Sequence, residues 1–126
     1  MALISNNDPI GGTAFLTRNG VTYHLGAACT YSVSQKTRES KAGLSGVAGY
    51  TTKARAGFIE GTFFDRGGLL IGALGEAVDD AIVLELENGK VIHGSHMWTT
   101  TASEVDAAEG TFTARWESGN VMEIAA

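Results

Sequence analysis

Residues 81–100 read AIVLELENGKVIHGSHMWTT and contain the strongest hairpin signal of the chain. Asn88 and Gly89 stand between two β-prone runs, and this dipeptide is typical of a two-residue type I′ turn between antiparallel strands. Such a turn predicts three cross-strand pairs, namely Leu86 with Val91, Leu84 with His93, and Glu87 with Lys90.

The first strand of this hairpin has one apolar and one acidic face. Ile82, Leu84 and Leu86 lie on the first face, and Glu85 and Glu87 lie on the opposite one, because successive side chains of a strand alternate. This alternation is typical of an antiparallel sheet that is buried on one side only.

The remaining sequence predicts more strands of the same kind. Asn19-Gly20 indicates a second hairpin, with the expected pairs Arg18 with Val21, Leu16 with Tyr23, and Ala14 with Leu25. Further strands are expected over 29–34, 50–61, 110–117 and 121–125, and the strand over 110–117 turns Phe112, Ala114 and Trp116 to one face. Residues 66–80 are the only helix candidate, and Gly72 and Gly75 predict that this helix is short.

These elements predict a single domain over residues 1–126 that is mainly β. We expect an antiparallel β-sandwich or partly open barrel with one short flanking α-helix and a long loop. Residues 1–12 read as a polar N-terminal arm with Leu3 and Ile4 as its apolar tip. Residues 35–49 have no regular period and are predicted to form an extended loop.

The totals exclude several classes of function. The chain has 126 residues and a net charge of −5, which argues against a duplex-binding protein because such proteins neutralise phosphates with Lys and Arg. The start of the chain has no basic and apolar segments of the kind that make a signal peptide, and nothing predicts a membrane span or anchor.

The residues that could carry chemistry do not form a recognisable site. His93 and His96 are three apart on a predicted strand and therefore point to opposite faces, so we expect no metal and no cofactor there. Asp79-Asp80 reads as a solvated turn after the helix. Cys29 reads as a small apolar side chain, and a nucleophile assisted by His24 is the alternative. The sequence therefore predicts a protein that is not an enzyme.

Four segments taken in order resemble the tail tube proteins of contractile-tailed bacteriophages, as in the Mu-like tail tube family. They are MALIS, GVAGYTTKARAGFIEGTFFD, LELENGKVIHGSHMWTT and EVDAAEGTFTARWES. The family's short patterns match here at Gly46, Gly49 and Tyr50; at Phe58 to Gly61; at Glu85 to Lys90; at Trp98 to Thr100; and at Arg115 to Glu117. Family members often have proline near Ala54 and Gly57, and the NNDPIGG segment is longer here than expected.

The resemblance implies a structural virion protein whose hexameric rings stack into the inner tail tube. The implied partners are further copies of the chain, the tail sheath, a baseplate or tube initiator, the tape measure and the tail terminator. DNA would pass through the lumen without specific binding, and assembly would take place in the cytoplasm of the host bacterium. A phage-like bacteriocin or secretion machine with the same tube is an alternative.

Two sets of residues follow as candidates for the functions of a tube. The expected contacts between subunits are the arm tip and charged or apolar residues of the long loop, namely Leu3, Ile4, Lys36, Arg38, Glu39, Lys41, Leu44 and Tyr50. Glu85 and Glu87 are the candidates for an acidic lumen wall that repels the DNA backbone. A small-molecule-binding β-barrel, which would need an apolar interior cavity, is the rival outside the family.

Overall fold

The computed structural model describes residues 14–65, 67, 71–100 and 104–125. Leu3, Ile4 and the predicted arm lie outside the described residues. Within these ranges the strands are β1 (Ala14–Arg18), β2 (Val21–Tyr23), β3 (Leu25–Ser32), β4 (Gln35–Gly43), β5 (Gly46–Arg55), β6 (Gly57–Phe64), β7 (Asp80–Leu86), β8 (Val91–Thr99), β9 (Val105–Asp106), β10 (Thr111–Ser118) and β11 (Val121–Ile124), and the helix is α1 (Ile71–Gly75).

Nine of these strands form one antiparallel sheet, and β4 and β5 form a separate pair. The order in the large sheet is β2-β1-β7-β8-β10-β6-β3, with β11 added beside β8 and β9 beside β10. The predicted fold class, mainly β and antiparallel with one short helix, is therefore confirmed, and the described strands do not close into a barrel.

Strand β8 joins the two halves of the large sheet. Its first part pairs with β7 and β11, whereas Trp98 and Thr99 pair with β10. The register between β7 and β8 shifts near His96, which has a positive φ of 52°. A bulge of this kind bends a strand, so β8 can leave one partner for the other at this point.

The two halves cover one common core. Residues from β1, β7 and β8 meet residues from β6 and β10 in a single buried cluster: Leu16, Ile59, Phe63, Leu74, Ile82, Leu84, Ile92, Met97, Phe112, Ala114, Trp116 and Val121. Phe63 lies at its centre, with ring centroids 5.7 Å from Phe112, 5.9 Å from Tyr23 and 6.0 Å from Trp116. The core is filled by side chains, as alternation in β7 and β10 predicted.

Asp80 is the one buried carboxylate among the described residues, with 4% of its surface exposed. Arg18 Nε donates to its Oδ2 at 2.7 Å, Asn19 Nδ2 donates to Oδ1 at 3.0 Å, and Trp116 Nε1 donates to Oδ2 at 3.2 Å. The interpretation of Asp79-Asp80 as a solvated turn is therefore wrong for Asp80. Donors from β1, its turn and β10 replace the lost water, which a buried carboxylate requires.

The hairpin predicted at Asn19-Gly20 is confirmed apart from its outermost pair. Asn19 and Gly20 have φ values of 50° and 87°, as a type I′ turn requires, and Leu16 pairs with Tyr23 and Arg18 with Val21. The expected pair of Ala14 with Leu25 is wrong. Strand β2 ends at Tyr23, and Leu25 pairs with Phe63 of β6.

The register of the hairpin predicted at Asn88-Gly89 differs from the prediction by one residue. Leu84 pairs with Ile92 instead of His93, and Glu85 pairs with Val91. The turn holds three residues, because Leu86 N donates to Lys90 O and Gly89 takes a positive φ of 90°. In this register Leu84 and Ile92 are both buried, whereas the predicted one would have paired a core leucine with an exposed histidine.

The predicted loop over 35–49 is also wrong in its local structure. Residues 35–43 form strand β4 and pair from Gln35 to Gly43 with β5. The strand predicted over 50–61 is in fact two strands, since β5 ends at Arg55 and β6 begins at Gly57. Neither face of this hairpin is buried, so both faces carry polar side chains. The sequence therefore lacks the alternation of apolar and polar residues by which a strand is recognised.

We predict that Asp80→Ala lowers the free energy of unfolding by about 3 kcal/mol, because it leaves the Arg18 guanidinium without its carboxylate in a half-buried site. Urea denaturation followed by tryptophan fluorescence measures the loss. Asp79→Ala is the matched control: Asp79 is exposed, and its side chain bonds, among the described residues, to His96 Nδ1 at 2.7 Å, so its loss should stay within about 0.5 kcal/mol. Equal losses for both variants would contradict this account of Asp80.

Candidate assembly surface

The hairpin of β4 and β5 stands apart from the rest of the fold. Each strand pairs only with the other, and every residue of both strands is exposed. Nine residues of extended chain reach about 30 Å. An isolated two-stranded ribbon is marginally stable in water and has open edges, so this hairpin has the character of an element that needs a partner.

The structure brings the predicted contact residues of the long loop together on this hairpin. Lys36, Arg38, Glu39 and Lys41 lie on β4, Leu44 lies in the turn, and Tyr50 lies on β5. Leu44, Val47 and Tyr50 are among the most exposed large apolar residues described, and the first two lie at or next to the tip.

The two faces of the hairpin differ in the side chains that accompany their cations. Lys36, Arg38 and Ser40 share one face with Tyr50, which pairs with Ser40, and the Arg38 guanidinium lies 5.6 Å from the Tyr50 ring centroid. Glu39 and Lys41 lie on the other face and form an ion pair at 3.2 Å. The first face thus combines Lys36 and Arg38 with an aromatic side chain, whereas the second carries Lys41, Lys53 and Arg55 together with the one carboxylate of the hairpin, Glu39.

The root of the hairpin is tied to the large sheet by Ser34. Its Oγ accepts hydrogen bonds from Gly57 N at 3.0 Å and Val121 N at 2.9 Å and donates to Ser118 O at 2.7 Å. A Cβ at Gly57 would lie 2.6 Å from Ser32 O and from Ser34 N. Glycine is therefore required at this position, because the backbone that follows β3 approaches β6 closely there.

Charge is distributed unequally between the hairpin and the remaining chain. Residues 35–55 carry five basic side chains and one acidic side chain, whereas the remaining chain carries four basic and thirteen acidic ones. Outside the hairpin, the described cations are paired within the chain: Arg18 with Asp80, Lys90 with Glu123, and Arg115 with Glu60 and Glu117. Cations free to meet an anionic partner are therefore concentrated on the hairpin.

The outward face of β6 and β10 is a polar surface that sequence reasoning did not single out. Arg115 Nη1 contacts Glu60 Oε2 at 2.8 Å, and its Nε contacts Glu117 Oε2 at 3.3 Å. The hydrogen bond to Glu60, followed by that to Glu117, raises the pKa of Arg115, although burial opposes them. Thr62 and Thr113 pair beside this cluster, with their hydroxyl oxygens 3.3 Å apart. The only signal in the sequence was the alternation Thr111, Thr113, Arg115.

Glu85 and Glu87 do not share one face as predicted. Glu85 lies on the exposed face of β7, between Phe15 and Val91 in the cross-strand register, whereas Glu87 follows the end of β7 in the turn. The three-residue turn is the reason, because it ends the strand one residue earlier than a type I′ turn would. The surroundings of Glu85 are thus largely apolar.

Cys29 lies in β3 and is half-buried against the core. Burial raises the pKa of its thiol to about 11, which disfavours the thiolate that a nucleophile needs. His24 is exposed beyond the end of β2, and among the described residues no hydrogen bond joins it to Cys29.

Three further expectations from the sequence concern a metal site, a membrane span and a ligand-binding barrel. His96 contacts Asp79, His93 lies on the exposed face of β8, and the described residues contain no group of three or more His, Cys, Asp or Glu side chains arranged to hold a metal. No helix in the described ranges has the length and apolar character that a membrane crossing requires. A small-molecule-binding barrel would need an apolar interior cavity, whereas the groove among the described residues is open, lies at the hairpin root and is outside the core cluster. It is lined by Ser34, Gln35, Lys36, Ala54, Arg55, Ala56, Trp98 and Gly119.

We predict that iodoacetamide alkylates Cys29 at pH 7.5 roughly 100-fold more slowly than an exposed thiol, because its raised pKa reduces the thiolate fraction by that factor. The reference is a Cys29→Ser, Leu44→Cys double variant, whose thiol lies at the exposed hairpin turn. Mass spectrometry of timed samples measures both rates. Alkylation of Cys29 as fast as that of the reference would instead support an activated nucleophile.

Comparison with known proteins identifies a matching family and solved structures with a similar fold. The family model described as phage tail tube protein matches residues 7–123. Among solved structures, the chain is similar to one from the anti-feeding prophage cap, which terminates the tube, with a TM-score of 0.67, 12% identity and coverage of 100% of this chain and 96% of that one.

Two further similar structures come from an extracellular contractile injection system in its extended state. A chain of the PVC sheath-tube complex has a TM-score of 0.67 and 11% identity and covers 98% of this chain and 95% of that one. A chain of the PVC sheath/tube terminator has a TM-score of 0.65 and 10% identity, with 99% of both chains covered. A search of curated protein sequences found no match. Because the family model spans nearly the whole sequence, this chain belongs to the phage tail tube protein family.

Proposed function

We propose that copies of this chain form hexameric rings that stack into the hollow inner tube of a contractile tail, through which phage DNA passes into the host. The observation that carries this proposal is the exposed hairpin of β4 and β5, which has unpaired cations and apolar side chains but no partner element in its own described chain. Family membership supports the tube, and the hairpin supplies a means for one copy to hold the next.

The channel of such a tube has to be built from several copies. A closed barrel needs about 16 strands before it leaves an aqueous channel. The described large sheet has nine strands, and its inner faces are filled by the core cluster. A ring of subunits solves this problem and also covers sheet edges that would otherwise invite aggregation.

The outward face of β6 and β10 is our candidate for the lumen wall, in place of Glu85 and Glu87. Its one cation, Arg115, is neutralised by Glu60 and Glu117, and its guanidinium covers the Phe58 ring at 3.9 Å from the centroid. The hydroxyls of Thr62 and Thr113 lie beside this cluster. A surface without free cations gives phosphates nothing to pair with, so DNA would slide along it without being held.

The other tail components are proposed partners of the assembled tube. These are the sheath around it, a baseplate or tube initiator at one end, a terminator at the other and a tape measure inside, in a virion assembled in the host cytoplasm. A second candidate function is the tube of a contractile particle that carries no DNA. Similarity in fold to chains of an extracellular contractile injection system supports this alternative. Packaged nucleic acid in purified particles distinguishes the two.

We predict that replacing residues 38–52 with Gly-Gly abolishes tube growth but leaves a folded subunit. The replacement keeps the pair of Thr37 with Lys53 and removes only exposed residues, so the core is untouched. Negative-stain electron microscopy scores tubes, and circular dichroism with urea denaturation scores folding. A control variant with the natural hairpin but Gly43→Ala, where an added Cβ meets nothing within 4 Å, should assemble normally. Normal tubes from the shortened chain would refute the role of the hairpin.

We also predict that a thiol at position 113 lies inside the tube. In a Cys29→Ser, Thr113→Cys variant, a small maleimide should react in assembled tubes, whereas a maleimide carrying a long polyethylene glycol chain should react only after the tubes are dissociated. The exposed position of Thr113 on β10 ensures that dissociated subunits react with both reagents. Equal reaction of intact tubes with the large reagent would place this face on the outside.

A further inference from the structure

The outward face of β1, β7, β8 and β11 is unusually apolar for a sheet that has no covering layer in its own described chain. Two rows cross its four strands: Phe15, Glu85, Val91 and Ile124 in the first, and Thr17, Val83, His93 and Met122 in the second. Phe15, Met122 and Ile124 are 52%, 58% and 53% exposed. A contiguous apolar patch of this kind marks a contact surface rather than a solvated one.

Glu85 is the only carboxylate in these two rows. Phe15 and Val91 flank it on the neighbouring strands, and no described residue forms an ion pair with it. If a partner covered the patch, the carboxylate would lose water and would need a cation in exchange. The surface therefore suits a partner that is apolar over most of its contact and carries a basic group.

The hairpin offers this combination on one of its faces. Arg38, Val47 and Tyr50 lie on the same side, since Ala42 and Ser40, their neighbours on β4, are paired with Val47 and Tyr50. This side carries Lys36 and Arg38 and no carboxylate. The described cations outside the hairpin already have acidic partners in the chain. The structure therefore favours the hairpin as the element that supplies a cation to Glu85.

The hairpin of the same subunit does not fill the patch, because all of its strand residues are exposed and it forms a sheet of its own. We propose that the hairpin of a second copy lies on this surface, with Val47 and Tyr50 over the apolar rows and Arg38 paired with Glu85. This inference rests on the proposed tube and adds to it the acceptor surface on the neighbouring subunit and the charge pair that sets the register of the contact.

A charge exchange tests the pair. Glu85→Arg should raise the protein concentration needed for tube formation at least about tenfold, because it places two cations in one desolvated contact. Glu76→Arg is the matched control, since it makes the same charge change on an exposed residue outside the patch. Combining Glu85→Arg with Arg38→Glu should restore assembly towards the unmodified level. Sedimentation of tubes gives the threshold, and circular dichroism verifies folding of each variant.

A disulfide test locates the contact independently of charge. In a Cys29→Ser background, Val47→Cys together with Ile124→Cys should give a ladder of covalently linked chains when tubes are oxidised, and either cysteine alone should give at most dimers. If the unmodified chain forms no tubes, the proposed function itself fails. If tubes form, but Glu85→Arg behaves like Glu76→Arg and no ladder appears, the hairpin binds elsewhere and only this inference is overturned.

Discussion

The carboxylate of Asp80 is the constraint on which the arrangement of the large sheet depends. It lies at the first residue of β7 and accepts hydrogen bonds from Arg18 of β1, Asn19 of the first turn and Trp116 of β10. A buried carboxylate without such donors would be strongly unfavourable, so the three elements have to meet at this point. Burial lowers the pKa of Arg18, but the hydrogen bonds to Asp80 and Tyr23 outweigh it and raise the pKa, so the guanidinium keeps the charge that the pair requires. The two halves of the sheet are thereby fixed relative to one another across the core.

The described cations of the large sheet are paired within the chain, so most cations without a carboxylate partner lie on the hairpin. Among the described cations, those of the large sheet have carboxylate partners in the same chain, whereas Lys36, Arg38, Lys53 and Arg55 of the hairpin have none. Ser34 and the close backbone approach at Gly57 connect the root of the hairpin to the large sheet, whereas its strand residues are all exposed. The chain thus carries opposite charges on two surfaces, with an acidic large sheet and a basic hairpin.

The two Asn-Gly pairs show how far local sequence reaches. At Asn19-Gly20 the type I′ turn follows from the dipeptide, and the register next to it agrees with the prediction. At Asn88-Gly89 the same dipeptide forms a longer turn with only Gly89 at positive φ. The difference arises because burial of Leu84 against Ile92 outweighs a local preference of the turn, and a shift of one residue would have turned one of them to solvent. The polar face around Arg115 escaped prediction for a similar reason, since its partner Glu60 is 55 positions away.

The sequence by itself determined the antiparallel β class, the apolar faces of β7 and β10, and the membership in the tail tube family that its ordered motifs indicated. These features are local or periodic, so they can be read from neighbouring residues. Tertiary structure alone decided that residues 35–55 form a free hairpin, that Asp80 is buried while Asp79 is exposed, and that Glu85 stands alone in an apolar patch. Each of these depends on which strands become neighbours in space, and hydrogen bonds and burial between residues far apart in the chain settle that question.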